Sequence, residues 1–273
     1  MAIFNRVVNQ IYNSGKIMTN SDLLYSQIPI ERINSIGHQT SLQEFQEVGN
    51  AFLREFKERC QLLPSSHFMD IGCGIGRLAI PLTDYLNANG RYEGFDITPD
   101  NVKWCQDHIA THHSNFNFKR ADIFNQFYNP EGKHLANEYQ FPYQENVFDV
   151  ACAASVFTHL LADDSERYLS ETSRVLKPNG YFLGTFFLLN EPSVTALRQQ
   201  KSSLPFFHEL KNCLVTNPQA PEAAVAYDED FIIKIYREAG LEIKEIHYGL
   251  WSGREPTVYG GYQDMIIAKK TAS

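Results

Sequence analysis

The chain has 273 residues, of which 43% are apolar and 21% charged, with 19 Phe and 14 Tyr. That is enough apolar material for a sizeable core, and it excludes a wholly disordered chain. The 32 acidic residues outnumber the 24 basic ones to leave a net charge of −8, and no Lys/Arg run exceeds Lys269-Lys270, which argues against nucleic acid as a partner. The longest apolar run, around 181–189, is too short to span a bilayer, and the first residues lack a continuous apolar leader. A cytoplasmic protein without membrane association is expected. The five cysteines (Cys60, Cys73, Cys105, Cys152 and Cys213) are widely spaced and form no C-x-x-C pair, so they read as buried thiols.

Residues 1–65 are expected to form an N-terminal helical cap. Within it, Ser41 and Glu44 make a capping-box pattern, Phe45, Val48, Phe52 and Phe56 recur at helical spacing, and Pro64 ends the helix. From there short apolar runs at 67–71, 92–97, 116–118, 147–154 and 181–189 read as strands. Helical stretches at 76–87, 99–112 and 164–176 separate most of them, and Lys177-Pro178-Asn179-Gly180 reads as a stop signal before the fifth strand. A helix over 228–239 follows, then runs at 241–248 and 262–269 that can pair antiparallel at a sheet edge. Strands alternating with helices predict a mainly parallel sheet covered on both faces. Segments 125–146 and 190–227 are too long for ordinary connections and are expected to be inserted lids, substrate loops or small subdomains.

The most informative stretch is Asp70-Ile71-Gly72-Cys73-Gly74-Ile75-Gly76-Arg77, where a strand runs through alternate glycines into a helix. Missing side chains let backbone N–H groups approach a ligand at a helix N-terminus. A dinucleotide fingerprint would need glycine at position 77, and a phosphate-binding Walker loop would need Gly-Lys-Ser/Thr. Neither is present. Asp96, twenty residues after Gly76, ends the second strand, where an acceptor-only carboxylate can take both hydroxyls of a ribose. Asp122, after the third strand, can accept an amino hydrogen of adenine.

Together these residues resemble the class I S-adenosylmethionine-dependent methyltransferases, over roughly residues 66–190. Asp70 to Gly76 is similar to the family's first motif, Gly94-Phe95-Asp96-Ile97 to its acidic ribose motif, and Ala121-Asp122-Ile123 to its adenine motif. Phe148-Asp149-Val150 with Ser155 to His159 resembles the fourth strand and the active-site edge after it, and Arg174 to Gly180 resembles the turn into the fifth strand. Segment 125–140 departs from the pattern by separating the adenine motif from Phe141 to Asp149. The resemblance implies a Rossmann-like, doubly wound, mainly parallel seven-stranded sheet with an antiparallel edge strand. It places the cofactor domain at 66–273. It also implies S-adenosylmethionine as cofactor and S-adenosylhomocysteine as product, held by Asp70, Gly72, Cys73, Gly74, Gly76, Asp96, Ile97, Asp122, Ile123 and Ser155.

Methyl transfer from a sulfonium is an in-line displacement, so alignment is the protein's main task. A hydroxyl acceptor also benefits from a base, and His159, just beyond the fourth strand, is the candidate. No carboxylate cluster follows that strand, and no histidine spacing suits a metal. Trp251, Arg254, Tyr259 and Tyr262 combine aromatic faces with a donor fork and are expected to line the site of a small polar substrate such as a sugar or phenol. O-methylation is favoured. N-methylation, aminopropyl transfer and a catalytically silent cofactor-binding scaffold are the alternatives.

Overall fold

The computed structural model describes residues 18–34, 41–254 and 261–272. Its centre is a seven-stranded sheet of β1 (His67–Ile71), β2 (Arg91–Asp96), β3 (Phe116–Arg120), β4 (Phe148–Ala153), β5 (Leu176–Phe186), β10 (Leu241–His247) and β11 (Asp264–Lys270). The strand order is β10-β11-β5-β4-β1-β2-β3. Pairing is parallel throughout β3-β2-β1-β4-β5 and antiparallel on both sides of β11. The reversed strand therefore lies one place in from the edge, inserted between β5 and β10.

One sheet face and the N-terminal helices share a core. Helix α3 (Leu42–Arg59) starts where the Ser41 hydroxyl accepts the Glu44 N–H, and it buries Phe45, Gly49 and Phe56. Phe45 and Phe56 join Leu24 and Tyr25 of α1 (Asn20–Tyr25), Ile33 of α2 (Ile30–Asn34), and Phe68 and Tyr92 of the sheet in one apolar cluster. The helix expected over 76–87 is much shorter, Ala79–Leu82 (α4), flanked by turns. Pro81 has no N–H for the Arg77 carbonyl, so the ladder cannot extend there. Gly49 lies so close to that carbonyl that a Cβ would stand 2.5 Å from it.

The chain continues through α5 (Pro99–Cys105), which runs into a π turn at Gln106–Ala110, and later α6 (Ala162–Val175). The Lys177–Gly180 stop signal becomes a bulge inside β5, because pairing jumps from Phe148↔Leu176 to Val150↔Tyr181. Asn179 takes φ 66° there. After Phe186 the chain leaves the main sheet. β6 (Leu188–Leu189), β7 (His208–Leu210), β8 (Cys213–Val215) and β9 (Val225–Asp228) form a second sheet in the order β6-β9-β8-β7. Helix α7 (Glu191–Arg198) lies within this excursion, and α8 (Glu229–Glu238) returns the chain to β10. Segment 190–227 is thus a small β-layer. Segment 125–146 is a loop held by bridges Ile123↔His134 and Asn125↔Asn129 and by Phe141, which is buried against the second core cluster. Among the described residues, no helix is long and apolar enough to cross a membrane.

Candidate active site

Strand β1 lies between β4 and β2, so the winding direction of the sheet reverses on either side of it. The crevice at the carboxyl ends of β1 and β4 is where an open α/β sheet binds ligands. The glycine loop occupies that crevice. Gly72, Gly74 and Gly76 adopt φ values of +73°, +53° and +83°, which L side chains rarely tolerate. A Cβ on Gly72 would come within 2.5 Å of Val156, and one on Gly76 within 2.7 Å of Ile109. The loop is stitched to the end of β2: the Gly72 and Cys73 N–H groups donate to the Phe95 carbonyl, and Gly74 N–H donates to Asp96 Oδ2 at 2.8 Å.

Asp96 holds the loop from the other side as well, since its Oδ1 accepts Thr98 N–H at 2.8 Å. Each carboxylate oxygen thus faces a backbone donor, with the Thr98 side chain and the Ile97 backbone also hydrogen-bonding the group, and an acceptor-only carboxylate lies beside the glycines where a diol can reach it. Burial raises the Asp96 carboxyl above its ordinary range, opposed by those backbone donors. This is a donor and acceptor set that fits an adenosine sulfonium: glycine backbone, a ribose-sized acceptor, and no cationic side chain in that pair. Ile97 beside it is half-buried.

The other expected cofactor residues fall in different surroundings. Asp70 lies buried beneath the loop and accepts Tyr92 Oη at 2.5 Å. Burial pushes its carboxyl up to about 7 against the Tyr92 hydrogen bond and the Arg77 charge, with Asp96 adding to the rise. Cys73 packs inward against Cys105; a thiol–thiol hydrogen bond, then burial, hold it well above the ordinary range, so it is an unreactive part of the core. The Asp122 carboxylate is ion-paired with Arg120 at 3.0 Å and Lys133 at 3.7 Å, while Ile123 is buried and bridges to His134.

At the end of β4, Ser155 has φ 62°, an uncommon left-handed conformation for a non-glycine residue. Three hydrogen bonds hold it: Ser155 N–H donates to Thr185 Oγ1 (2.7 Å), Ser155 Oγ donates to Gln263 Oε1 (3.0 Å), and Thr185 Oγ1 donates to the same Gln263 oxygen (2.6 Å). Thr185 and Gln263 carry no motif in the sequence, yet they tie β4, β5 and the approach to β11 together at the crevice.

His159 closes a short 3-10 turn after β4. Its Nδ1 lies 2.9 Å from the Glu222 carbonyl, and its Nε2 lies 3.3 Å from Tyr128 Oη, with the two rings edge to face. A carbonyl only accepts, so the proton sits on Nδ1 and Nε2 presents a lone pair. Burial lowers the imidazole below its ordinary value, more than the backbone hydrogen bonds raise it. That shift favours the neutral ring, the form in which Nε2 can accept a proton. Tyr128 comes from the 125–146 insertion and Glu222 from the 190–227 insertion, so both excursions converge on this histidine.

The expected substrate wall is corrected by the packing. Trp251 is fully buried between Phe187 and Phe206, and its indole N–H donates to Asp264 Oδ2 at 2.7 Å. Arg254 donates to Asp264 Oδ1 (2.6 Å) and Asn190 Oδ1 (2.9 Å), and it lies over the Tyr248 ring. Asp264 is itself fully buried and also accepts the Leu188 and Gly249 N–H groups, so Trp251 and Arg254 serve an internal carboxylate and offer a substrate no free face. Tyr262, half-buried, shares a 2.7 Å hydrogen bond with Ser203. Tyr259 lies outside the described residues.

Residues 69–184 match the family model described as a methyltransferase domain. A sterol 4-C-methyltransferase of Caenorhabditis elegans is 25% identical over 142 residues, covering 52% of this chain but 37% of that protein. The chain therefore spans little more than a third of that relative. Among solved structures, magnesium protoporphyrin IX methyltransferase from Synechocystis PCC 6803 with bound S-adenosylhomocysteine superposes with a TM-score of 0.54 at 17% identity, covering 88% of this chain and 94% of that one. The [4+2]-cyclase SpnF superposes with a TM-score of 0.54 at 18% identity, covering 86% and 84%. At these identities the likeness is one of fold, and the cyclase shows that the fold carries more than one chemistry. The family match and the glycine–Asp96 crevice agree: residues 69–184 form a methyltransferase domain, and S-adenosylmethionine is the cofactor that the crevice fits.

Proposed function

We propose that this protein transfers the methyl group to a hydroxyl oxygen of a small polar organic molecule, with His159 accepting the hydroxyl proton. The observation that carries this reading is the fixed tautomer of His159: Nδ1–H is committed to the Glu222 carbonyl, and Nε2 is a lone pair at the carboxyl edge of the sheet. When bound, S-adenosylmethionine supplies a methyl group already activated on a sulfonium sulfur. The chain's own task is to hold and align. Gly72 to Gly76 offer backbone to the methionine half, the two Asp96 oxygens take the ribose hydroxyls, and Asp122 and Ile123 flank the adenine. Ser155, pinned by Thr185 and Gln263, fixes the β4 end of the crevice beside the acceptor.

A hydroxyl is a poor nucleophile until it loses its proton, whereas a neutral amine needs no base. A buried neutral imidazole therefore favours oxygen as the acceptor atom, and turnover that is indifferent to His159 would mark N-methylation instead. The decisive experiment is calorimetric titration with S-adenosylmethionine, S-adenosylhomocysteine and NADH, followed by transfer of a labelled methyl group to sugars, phenols and amines. Binding of the first two alone, with label on a hydroxyl compound, is the expected result. Binding without transfer would leave a cofactor-binding scaffold, and binding of NADH alone would defeat the reading altogether.

A further inference from the structure

Tyr128 is the one aromatic side chain of the 125–146 insertion that touches His159, and its mounting is unusually firm for a loop. Asn125 Oδ1 accepts the N–H groups of Phe127 and Tyr128 at 3.1 and 2.9 Å, an Asx turn closed by the backbone bridge between Asn125 and Asn129. Both asparagines are buried, and Asn129 Nδ2 ties the turn to the Ile123 carbonyl. Asn125 Nδ2 donates to the carbonyl of His159 itself, and the Gln126 N–H donates to the Glu222 carboxylate, on the residue whose carbonyl holds His159 Nδ1. The turn carrying Tyr128 and the imidazole thus share their anchors. Tyr128 is nevertheless 40% exposed, so its ring borders open space. Burial and then the Asp96 charge raise its phenol above the ordinary range, so the hydroxyl keeps its proton and lies within electrostatic reach of the ribose carboxylate. The charged groups around the pair are Asp96 and Glu222.

Resting on the proposed O-methyl transfer, we infer that Tyr128 is a catalytic residue, the hydroxyl through which the acceptor's proton reaches His159. The acceptor O–H bond breaks as its proton passes to Tyr128 Oη, and the Tyr128 proton passes to His159 Nε2, leaving an imidazolium. The acceptor oxygen pair forms the new bond to the methyl carbon, and the carbon–sulfur pair stays on sulfur as a thioether. Charge is conserved: one cationic centre is lost at sulfur and one appears at His159.

The test uses Tyr128→Phe in the full chain, with S-adenosylhomocysteine as the binding probe and labelled S-adenosylmethionine with simple phenols and methyl glycosides as the turnover probes. The variant is expected to bind S-adenosylhomocysteine as the wild type does and to lose roughly a hundredfold in kcat, the lower end of proton-transfer catalysis. In mixtures of light and heavy water, wild-type kcat is expected to fall along a bowed curve, the mark of two protons in flight, and the variant along a straight line. A merely structural tyrosine would not change that curve. Independently, the imidazole nitrogen resonances of His159 in the S-adenosylhomocysteine complex, assigned with His159→Gln, are expected to titrate at higher pH in Tyr128→Phe, because the neutral ring loses a donor. Unchanged titration, or wild-type kcat in a variant that binds the probe, overturns the relay alone. A wild-type protein that binds the probe and methylates none of these acceptors overturns the O-methyl transfer reading, and the relay with it.

Discussion

The carboxyl of Asp70 gives the sharpest quantitative expectation. It sits beneath the glycine loop with 1% of its surface exposed, and burial pushes it up to about 7. In the unfolded chain the same group titrates near 3.9. Between those two values the unfolded state has released a proton that the folded state retains, so the unfolded state binds fewer protons and stability falls as pH rises. The contribution is fully present below about pH 4 and lost on passing through pH 7, and the gap of about three pH units corresponds to about 4 kcal/mol. Asp70→Asn keeps an acceptor for Tyr92 Oη but cannot ionise. Urea unfolding of both proteins at intervals from pH 4.5 to 8.5 is the assay. The wild type should lose several kcal/mol relative to the variant across that range, and the variant should become the more stable protein at the alkaline end. Parallel stability curves would mean that Asp70 is ionised throughout in the fold, and that Arg77 and Tyr92 together outweigh its desolvation.

Three further outcomes are expected. Asp264→Ala should destabilise the fold by about 3–5 kcal/mol in urea titrations, because it leaves the Arg254 guanidinium buried without its carboxylate, and adding Arg254→Met should recover part of that loss. Asp96→Ala should weaken S-adenosylhomocysteine binding by about 1.5–3 kcal/mol in calorimetry, the scale of a charged hydrogen bond, and an unchanged affinity in a folded variant would remove Asp96 from the ribose site. The acid limb of kcat/KM should fall below the ordinary histidine range, since burial lowers His159 and keeps it a competent base at more acid pH. The limb should vanish in His159→Ala, and an acid limb that survives there would assign it to another group.

The parts of the site that were legible in the sequence are those where backbone geometry dictates residue type. Gly72, Gly74 and Gly76 adopt conformations few other residues accept, and Asp96 sits where a strand end meets that loop. Those constraints are local, so they are written in a few neighbouring letters. The misreading of Trp251 and Arg254 has the opposite origin. An indole and a guanidinium look alike in sequence whether they face a substrate or an internal carboxylate, and their partner, Asp264, is positioned only when β11 slots beside β5. Tyr128 was hidden because its insertion interrupts the family pattern. The signal that could have found it was the pair Asn125 and Asn129, four residues apart, which turn the chain back upon itself. Likewise, Lys177 to Gly180 carry the residues of a turn, and only pairing with β4 shows that they bulge within a strand.

The placement of β11 also bears on how the molecule is made. Its first paired residue, Asp264, meets Phe186, which lies 78 positions earlier in the chain. A ribosome adding 5–20 residues per second needs roughly 4–16 s to bridge that interval. Throughout that time β5, with Phe182, Leu183 and Phe186, waits with one hydrogen-bonding edge unclaimed, and an apolar open edge invites pairing with another nascent chain. The small sheet and α8 are synthesised during this wait. Production of the protein should therefore be most sensitive to slow translation between β5 and β11, where soluble yield would drop while the finished fold stays equally stable.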